Sequence, residues 1–283
     1  MKIEKIKSVV TTIIIFIGIL VCLYPVISNY ISEKNHMEII DEYIEAVDEL
    51  DEETIENELA KAQEYNENLS GEPVHDPFIE GSGYAVPDNY EDVLNVNGDG
   101  VMAYIEIPEI DCYLPIYHGT DTEVLSKGVG HIEESSLPIG GSSTHAVLTG
   151  HTGLPSSELF TRLTDLEIGD AFYIYVLNQT LKYEIYEIEI IEPEDLSKLE
   201  IEEGRDLVTL VTCTPYGVNT HRLLVKGERT EYDEETEVAE EVEENDKISL
   251  LYIFIAIGIF VIVVILVIVF IKRRKDKTCE EKK

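Results

Sequence analysis

Basic residues are scarce in this sequence, with 21 Lys and Arg against 57 Asp and Glu and a formal net charge of −36. Residues 29–247 are more acidic still, since 11 basic and 53 acidic residues give them a net charge of −42. Proteins that bind nucleic acid need a basic surface to meet the phosphates, so this composition argues against that class. A high negative charge is more simply explained by solubility than by a specific basic partner.

Charged residues are missing altogether from two segments, residues 8–27 and 248–271. Each is long enough to cross a membrane as a helix. Basic residues flank each segment on the side of the nearer chain terminus, at 1–7 and 272–275. Basic flanks stay in the cytoplasm, which predicts cytoplasmic termini and an extracellular middle. The first segment could instead be a cleaved signal peptide ending near 26–28. It is long for such a peptide, so an uncleaved anchor is favoured.

Cysteine is also scarce, and Cys22 and Cys279 lie in the two terminal segments. Only Cys112 and Cys213 are expected outside the cell, where they could form one disulfide. However, the alternation of apolar and polar residues over 110–114 puts Cys112 on the apolar face of a strand, as a small core residue. Cys213 then remains as an extracellular thiol, which is unusual enough to suggest chemistry.

Proline and glycine are absent from residues 32–70, which are rich in Glu, Ala, Leu and Ile. Apolar residues recur there at helical spacing, from Ile39 to Ala62, and predict one or two amphipathic helices near the membrane. Residues 71–100 are instead dominated by Gly, Pro, Asp and Asn, which predicts a loop. A loop of this length is often a lid or a binding segment.

Residues 101–229 are predicted to be mainly β, because short alternating segments recur between turn signals. One pair should form a hairpin that turns at Asn178 and Gln179, and residues 156–166 should form a short helix with serines near its N-cap. Many short strands with turn signals predict a closed or nearly closed barrel. The acidic, low-complexity residues 230–247 are expected to be an extended stalk.

Two residues of the sequence TCTPYGVNTHR carry the candidate chemistry. Cys213 ends one predicted strand, and Arg222 lies on the next. A cysteine nucleophile needs a base or a positive neighbour, and the tetrahedral intermediate needs hydrogen-bond donors. Arginine suits that place because it stays charged and presents several donors. The alternative is a surface arginine in a salt bridge.

The base should be a histidine. His36 is expected to be solvated on a charged helix, and His75 lies in the predicted loop. His221 precedes Arg222 on a strand, so the two side chains point to opposite faces and only one can face the cysteine. The sequence HAVLTGH begins with His145 and ends with His151, beside glycines. Spacing alone leaves three candidates open: His118, His131 and His151.

Three segments resemble sortases of Gram-positive bacteria over residues 103–229. TLVTCTPYGVNTHRLLVKG is similar to their active-site strands, with a TLxTC signature and a downstream arginine. THAVLTGHTGLPSSELFTRLTDLEIGD is similar to their histidine segment, and LPIYHGTDTEVLSKGVGHIEESSLPIGG also matches. The resemblance implies a closed eight-stranded sortase barrel with short helices. It also implies that Cys213 is the nucleophile, His151 the acid/base, and Arg222 the group that orients substrate and stabilises the oxyanion.

Two further features resemble class C sortases, which polymerise pilins. Asp76, Pro77 and Phe78 are similar to their lid, an Asp-Pro followed by an aromatic residue, and a C-terminal membrane helix also fits that class. The usual lid aromatic is Trp, which this chain lacks, and Phe has no indole donor. Without the resemblance, Asp76 and Pro77 are simply a turn initiator.

The resemblance implies cleavage of an LPxTG-like signal between Thr and Gly through a thioester, then transfer to a pilin lysine as an isopeptide bond. This chemistry needs no cofactor or metal, and no ligand cluster in the sequence argues for one. The alternatives are a sortase that anchors proteins to the peptidoglycan cross-bridge, a papain-like hydrolase and a non-enzymatic surface adhesin or sensor. The order of His before Cys and Arg disfavours the papain-like class.

The expected organisation of the chain follows from these observations. It consists of a cytoplasmic tail and anchor (1–28), a helical region (29–70), a lid loop (71–100), the barrel (101–229), the stalk (230–247), a second membrane helix (248–271) and a basic cytoplasmic tail (272–283).

Overall fold

The computed structural model describes residues 2–69, 89–195 and 197–232. Two long helices come first, α1 (Lys2–Asp48) and α2 (Glu52–Asn68). Asp51 separates them and caps α2, since its carboxylate accepts a hydrogen bond of 2.9 Å from the Thr54 N–H. The predicted helical region at 29–70 is therefore present. Among the described side chains, the buried hydrophobic residues on these helices are Ile40, Tyr43, Val47, Ile55, Ala62 and Tyr65.

In the described part of the chain, eight strands and one short α-helix follow. The strands are β1 (Val101–Ile107), β2 (Cys112–His118), β3 (Val129–His131), β4 (Thr144–Thr149), β5 (Ala171–Val176), β6 (Gln179–Ile191), β7 (Asp206–Thr214) and β8 (His221–Arg229). Helix α3 (Thr122–Lys127) connects β2 to β3. The strands close into a barrel in the order β1-β2-β3-β4-β7-β8-β6-β5, so the predicted mainly β, eight-stranded closed barrel is confirmed.

The connections between β4, β7 and β8 matter most for the site. Strand β4 runs parallel to β7, and β7 runs antiparallel to β8. These strands are almost entirely buried, as near-continuous apolar sequences such as LVTLV predict for the centre of a sheet. The C-terminal ends of β4 and β7 therefore meet the beginning of β8 at one rim of the barrel.

Helix α1 is fixed to the barrel by a buried tyrosine. The Tyr43 hydroxyl donates to the Met102 carbonyl at 3.1 Å and accepts from the Leu177 N–H at 2.9 Å. These two bonds join the helix to β1 and to the β5–β6 turn. Helix α2 is fixed in a similar way, because the Asn66 side chain exchanges two hydrogen bonds with the backbone of Leu137.

Part of the predicted lid loop belongs to the core. Residues 70–88, which include Asp76, Pro77 and Phe78, lie outside the described residues. Tyr90–Asp92 form a short 3₁₀ helix, and Tyr90, Val93 and Leu94 are buried. The described end of the predicted loop, residues 89–100, thus consists of turns, bends and one short 3₁₀ helix, and its apolar side chains belong to the barrel core.

Two local predictions were inaccurate. The helix expected at 156–166 is only a 3₁₀ helix, Thr161–Asp165, because Leu159 has a left-handed φ of 42° that interrupts a helix. The hairpin turns at Leu177 and Asn178, one residue earlier than predicted, since Val176 pairs with Gln179.

Among the described residues, no helix has both the length and the apolar character needed to cross a membrane. The predicted span at 8–27 thus has no support from this part of the chain. The predicted second span at 248–271 lies outside the described residues, as do 233–247 and 272–283.

Candidate active site

Cys213 and Arg222 are direct partners across β7 and β8. Residues directly opposite each other in an antiparallel pair project to the same face of the sheet, with Cβ atoms about 5 Å apart. The connection that aligns them is compact, because the N–H groups of Val218 and Asn219 both bond to the Pro215 carbonyl at 3.0 Å. Cys213 and Arg222 are therefore neighbours across the two strands, although they are nine residues apart in the chain.

Both side chains are largely withdrawn from solvent, with 9% of Cys213 and 7% of Arg222 exposed. The Arg222 Nη1 donates to the His221 carbonyl at 3.2 Å, which holds the guanidinium back against its own strand. A permanently charged guanidinium beside a thiol favours the thiolate form and supplies donors for a developing oxyanion.

His151 lies just beyond the end of β4, the parallel neighbour of β7. Thr149 pairs with Val211, and the match continues for one more residue because the Gly150 N–H donates to the Val211 carbonyl at 3.1 Å. His151 and Cys213 each come two residues after that Thr149–Val211 pair. The histidine is therefore level with the cysteine at the same rim of the barrel.

A threonine next to the cysteine secures this alignment. The Thr212 hydroxyl donates to the Gly150 carbonyl at 2.7 Å, so the residue before Cys213 holds the residue before His151. Thr212 is buried, and buried polar groups in proteins are nearly always hydrogen-bonded. This bond gives the Thr212 hydroxyl and the Gly150 carbonyl a partner in each other. The threonine of the TLVTC sequence therefore positions the histidine segment.

Gly150 is required by close packing. A Cβ atom at this position would lie 2.8 Å from the ring of Phe160, which is fully buried. Phe160 also donates its N–H to the His151 carbonyl at 3.2 Å. The ring and the backbone of Phe160 together fix the peptide units on both sides of the histidine.

The loops after β4 and β7 contact each other at this rim of the barrel. Gly153 has a φ of 76°, and a Cβ atom there would lie 3.1 Å from the ring of Tyr216. Tyr216 itself is 70% exposed. An aromatic residue from the cysteine loop thus rests on the histidine loop and forms part of the rim, a role that the sequence did not reveal.

His151 is only partly buried, and burial lowers the pKa of its imidazole below the usual value. A lowered pKa favours the neutral ring near neutral pH. The neutral ring can accept the proton of a thiol or of an attacking amine, and the imidazolium formed can return it to a leaving group.

His145 is at the opposite end of β4. It pairs with Leu207, six residues before Cys213, which is about 20 Å along a strand. Both ring nitrogens are engaged, Nδ1 with the Glu200 carbonyl at 2.8 Å and Nε2 with the Thr209 hydroxyl at 2.7 Å. His145 is therefore a structural residue in this geometry.

His118 and His131, the two candidates that spacing left open beside His151, form a buried cluster with Tyr90. His118 Nε2 lies 2.8 Å from the Val93 carbonyl, and His131 Nε2 lies 2.8 Å from the Ser136 carbonyl. The His131 Nδ1 contacts the Tyr90 hydroxyl at 2.9 Å. Burial lowers the pKa of His131 to about 4, so this ring stays neutral in the core.

The other histidines are also accounted for. His36 is buried on α1, so the expectation that it is solvated was wrong; tertiary packing covers it. His221 pairs with Thr214 and lies 3.3 Å from a Glu192 carboxylate oxygen, on the opposite face from Arg222. His75 lies outside the described residues.

The two cysteines of the barrel are not joined. Cys112 is buried at the beginning of β2, and neither it nor Cys213 forms a disulfide. Burial raises the pKa of the Cys112 thiol above its usual value, which keeps it protonated and unreactive. Its predicted role as a core residue is confirmed.

A cysteine with an arginine partner, level with a histidine on the next strand, is the arrangement of a cysteine-dependent acyl-transfer enzyme. The sortase domain model matches residues 105–230. The chain is similar to sortase C-1 from Actinomyces oris, with 52% identity, a TM-score of 0.61, and coverage of 64% of this chain and 99% of that one. Streptococcus pneumoniae sortase C is 42% identical with a TM-score of 0.64, and 69% of this chain covers 97% of that one.

A more distant relative extends the comparison to another branch. Sortase D from Bacillus subtilis is 33% identical over 128 residues, which are 44% of this chain and 62% of that protein. The chain thus spans about three fifths of the length of this relative. With these matches, the chain belongs to the sortase family of cysteine transpeptidases, and class C sortases are among its structural neighbours.

Proposed function

We propose that this protein is a transpeptidase that joins pilin subunits, with Cys213 as nucleophile, His151 as acid/base and Arg222 as oxyanion donor. The observation that carries this proposal is the direct pairing of Cys213 with Arg222 at the rim where β4 delivers His151. Each side chain has a chemistry suited to one part of acyl transfer, and the three come from the ends of three adjacent strands.

The first half-reaction cleaves an LPxTG-like signal. The Cys213 sulfur attacks the threonine carbonyl carbon, and the thiol proton passes to His151. Charge on the carbonyl oxygen faces the Arg222 guanidinium. The C–N bond to glycine then breaks, His151 returns its proton to the departing amine, and a thioester remains on Cys213.

The second half-reaction transfers the acyl group to an amine. The Nζ of a pilin lysine attacks the thioester carbonyl, His151 removes a proton from that nitrogen, and the Cys213 sulfur leaves. The new bond is an isopeptide bond. Support for a pilin as substrate comes from the likeness to the Streptococcus pneumoniae enzyme, a sortase C with pilin substrate specificity.

A lid and membrane attachment complete the proposal, and both rest on the sequence. Asp76, Pro77 and Phe78 would close over the cleft and lower the apparent substrate affinity by the fraction of time they occupy it. Residues 8–27 and 248–271 contain no charge and would hold the enzyme beside membrane-held pilins, which raises their effective concentration.

The test is a choice between two acceptors. Purified enzyme is incubated with a pilin that carries an LPxTG-like signal, together with a peptide that imitates the peptidoglycan cross-bridge. Covalent pilin multimers, with an isopeptide bond located by mass spectrometry, are expected. Exclusive transfer to the cross-bridge amine would instead identify an enzyme that anchors surface proteins to the cell wall.

A further inference from the structure

The loop that carries His151 is held at its far side by helix α1. Three hydrogen bonds join the two elements. The Ser28 hydroxyl donates to the Ser156 carbonyl at 3.2 Å, the Ser32 hydroxyl donates to the Ser157 hydroxyl at 2.9 Å, and the Glu158 N–H donates to the Asn29 side-chain oxygen at 2.8 Å. Three consecutive loop residues are thus bound by one helix face.

The spacing on the helix explains why one face suffices. Ser28 and Ser32 are four residues apart, so their side chains lie one above the other, and Asn29 lies beside them. The next position in the same column is His36, whose Nε2 lies 3.3 Å from the Ser32 hydroxyl. His36 and Ser157 are both buried, so this contact is packed rather than a loose surface approach.

The Asn29 side chain bonds both to the loop and to its own helix. Its side-chain oxygen accepts from the loop backbone, and its amide nitrogen donates to the Glu33 carboxylate at 2.6 Å on the same helix. The second bond fixes the orientation of the amide, so the oxygen stays turned toward Glu158. A small cavity of about 200 Å³ lies beside this contact, between α1 and the loop.

The bound residues are connected to His151 through Phe160. Residues 156–158 end two positions before Phe160, which bonds to the His151 carbonyl and packs its ring against Gly150. A shift of the loop at 156–158 would therefore move Phe160, and with it the peptide that carries the imidazole. At the opposite side of the loop, Gly153 packs against the Tyr216 ring. The loop is therefore held by Tyr216 on one side and by α1 on the other.

We propose that Asn29, Ser28 and Ser32 of α1 are positioning residues that hold the His151 loop in register with Cys213. They do not touch the reacting atoms. They act by fixing the distance between the His151 imidazole and the Cys213 thiol. Acyl transfer is sensitive to changes in that distance, since a displacement of about 1 Å can lower the rate by a factor on the order of 10².

A consequence follows from the place of these residues in the chain. They come directly after residues 8–27 within the continuous helix α1. The position of the proposed catalytic histidine is thereby linked to the N-terminal part of the chain. Because His151 is the proposed acid/base, this positioning role rests on the proposed function.

The test compares matched variants of the full-length protein in detergent micelles. Asn29→Ala and the double variant Ser28→Ala with Ser32→Ala remove the bonds to the loop. Ser28→Thr with Ser32→Thr retains both hydroxyls. Asn35→Ala removes the same side chain from an exposed position of α1 and is the control for Asn29→Ala. Thioester formation with an LPxTG-type peptide is measured for each, together with Tm.

We expect Asn29→Ala and the double alanine variant to lower kcat for thioester formation by about tenfold, with KM changed by less than about twofold. The threonine variant and Asn35→Ala should keep the wild-type rate. Unchanged kcat in both alanine variants would overturn the positioning role. A loss of kcat that only follows a lower Tm, and returns on cooling, would also overturn it.

One further variant separates this inference from the proposed function. His151→Ala should abolish thioester formation. If it does, and the α1 variants are fully active, only the positioning role is wrong. If His151→Ala retains activity, the assignment of the acid/base fails first, whatever the α1 variants do.

Discussion

Cys213 and Arg222 face each other across one cross-strand pair, although nine residues separate them in the chain. The pair fixes the direction from which a substrate carbonyl must approach, because the oxyanion has to point at the guanidinium. His221, one residue away, pairs with Thr214 and is directed to the other face. The β7–β8 register therefore decides which of the two adjacent side chains, His221 or Arg222, can take part in the reaction.

Arg222→Ala should lower kcat/KM for an LPxTG-type peptide by about 10²- to 10³-fold, the range found when one oxyanion donor is removed. Arg222→Lys should recover only part of this loss, because a lysine lacks the fork of donors. His221→Ala is the matched control and should stay near the wild-type rate. An equal loss from His221→Ala would contradict the assignment, because the β7–β8 pairing would then not distinguish the two residues.

His145 and His151 should respond differently to substitution. His151→Ala should remove thioester formation while leaving the denaturation midpoint close to wild type, since the ring is only partly buried. His145→Ala should leave much of the activity but cost about 1–3 kcal/mol of unfolding free energy, because Thr209 and the Glu200 carbonyl lose a buried partner. Urea titrations and peptide assays on both variants check this, and the reverse pattern would exchange their roles.

Gly150→Ala should slow thioester formation by about 10- to 100-fold by pushing Phe160 away from His151. Gly150 is not in a left-handed conformation, so the effect comes from the clash with the ring rather than from backbone strain. Adding Phe160→Leu to Gly150→Ala makes room and should restore part of the rate. A wild-type rate in Gly150→Ala would show that the close packing is not needed for catalysis.

Stability should fall as the pH is lowered from about 6.5 to about 4. Burial lowers the pKa of His131 to about 4, whereas an unfolded chain has the ordinary value of 6.5, so the unfolded state binds the extra proton throughout this window. His36, His145 and His151 also have lowered pKa values, so they too make the free energy of unfolding fall as the pH is lowered. His131→Gln should reduce the slope of unfolding free energy against pH there. An unchanged slope would mean that His131 is already protonated in the fold.

Several features of the fold could be predicted because they depend on neighbours in the chain. The alternation around Cys112 indicated its buried face, and the turn residues between Cys213 and Arg222 indicated adjacent strands. Helical spacing over 32–70 indicated α1 and α2. In each case the local pattern and the tertiary packing favour the same structure.

Other features depend on contacts between distant parts of the chain. Spacing could not select His151 among the histidines, because the parallel pairing of β4 with β7 joins segments about 60 residues apart. The helix expected at 156–166 is cut short where Ser156 and Ser157 bond to α1 instead of capping a helix. The burial of His36 and Tyr90 likewise follows from elements that pack over them.

The most direct measurement is the capture of the acyl-enzyme. Enzyme and LPxTG-type peptide are mixed, quenched in acid and digested, and the modified residue is located by mass spectrometry. A thioester is expected on Cys213 in the wild-type protein, and none in Cys213→Ala, with Cys112→Ala as the control that still acylates. An acylated or fully active Cys213→Ala protein would contradict the assignment of Cys213 as the nucleophile.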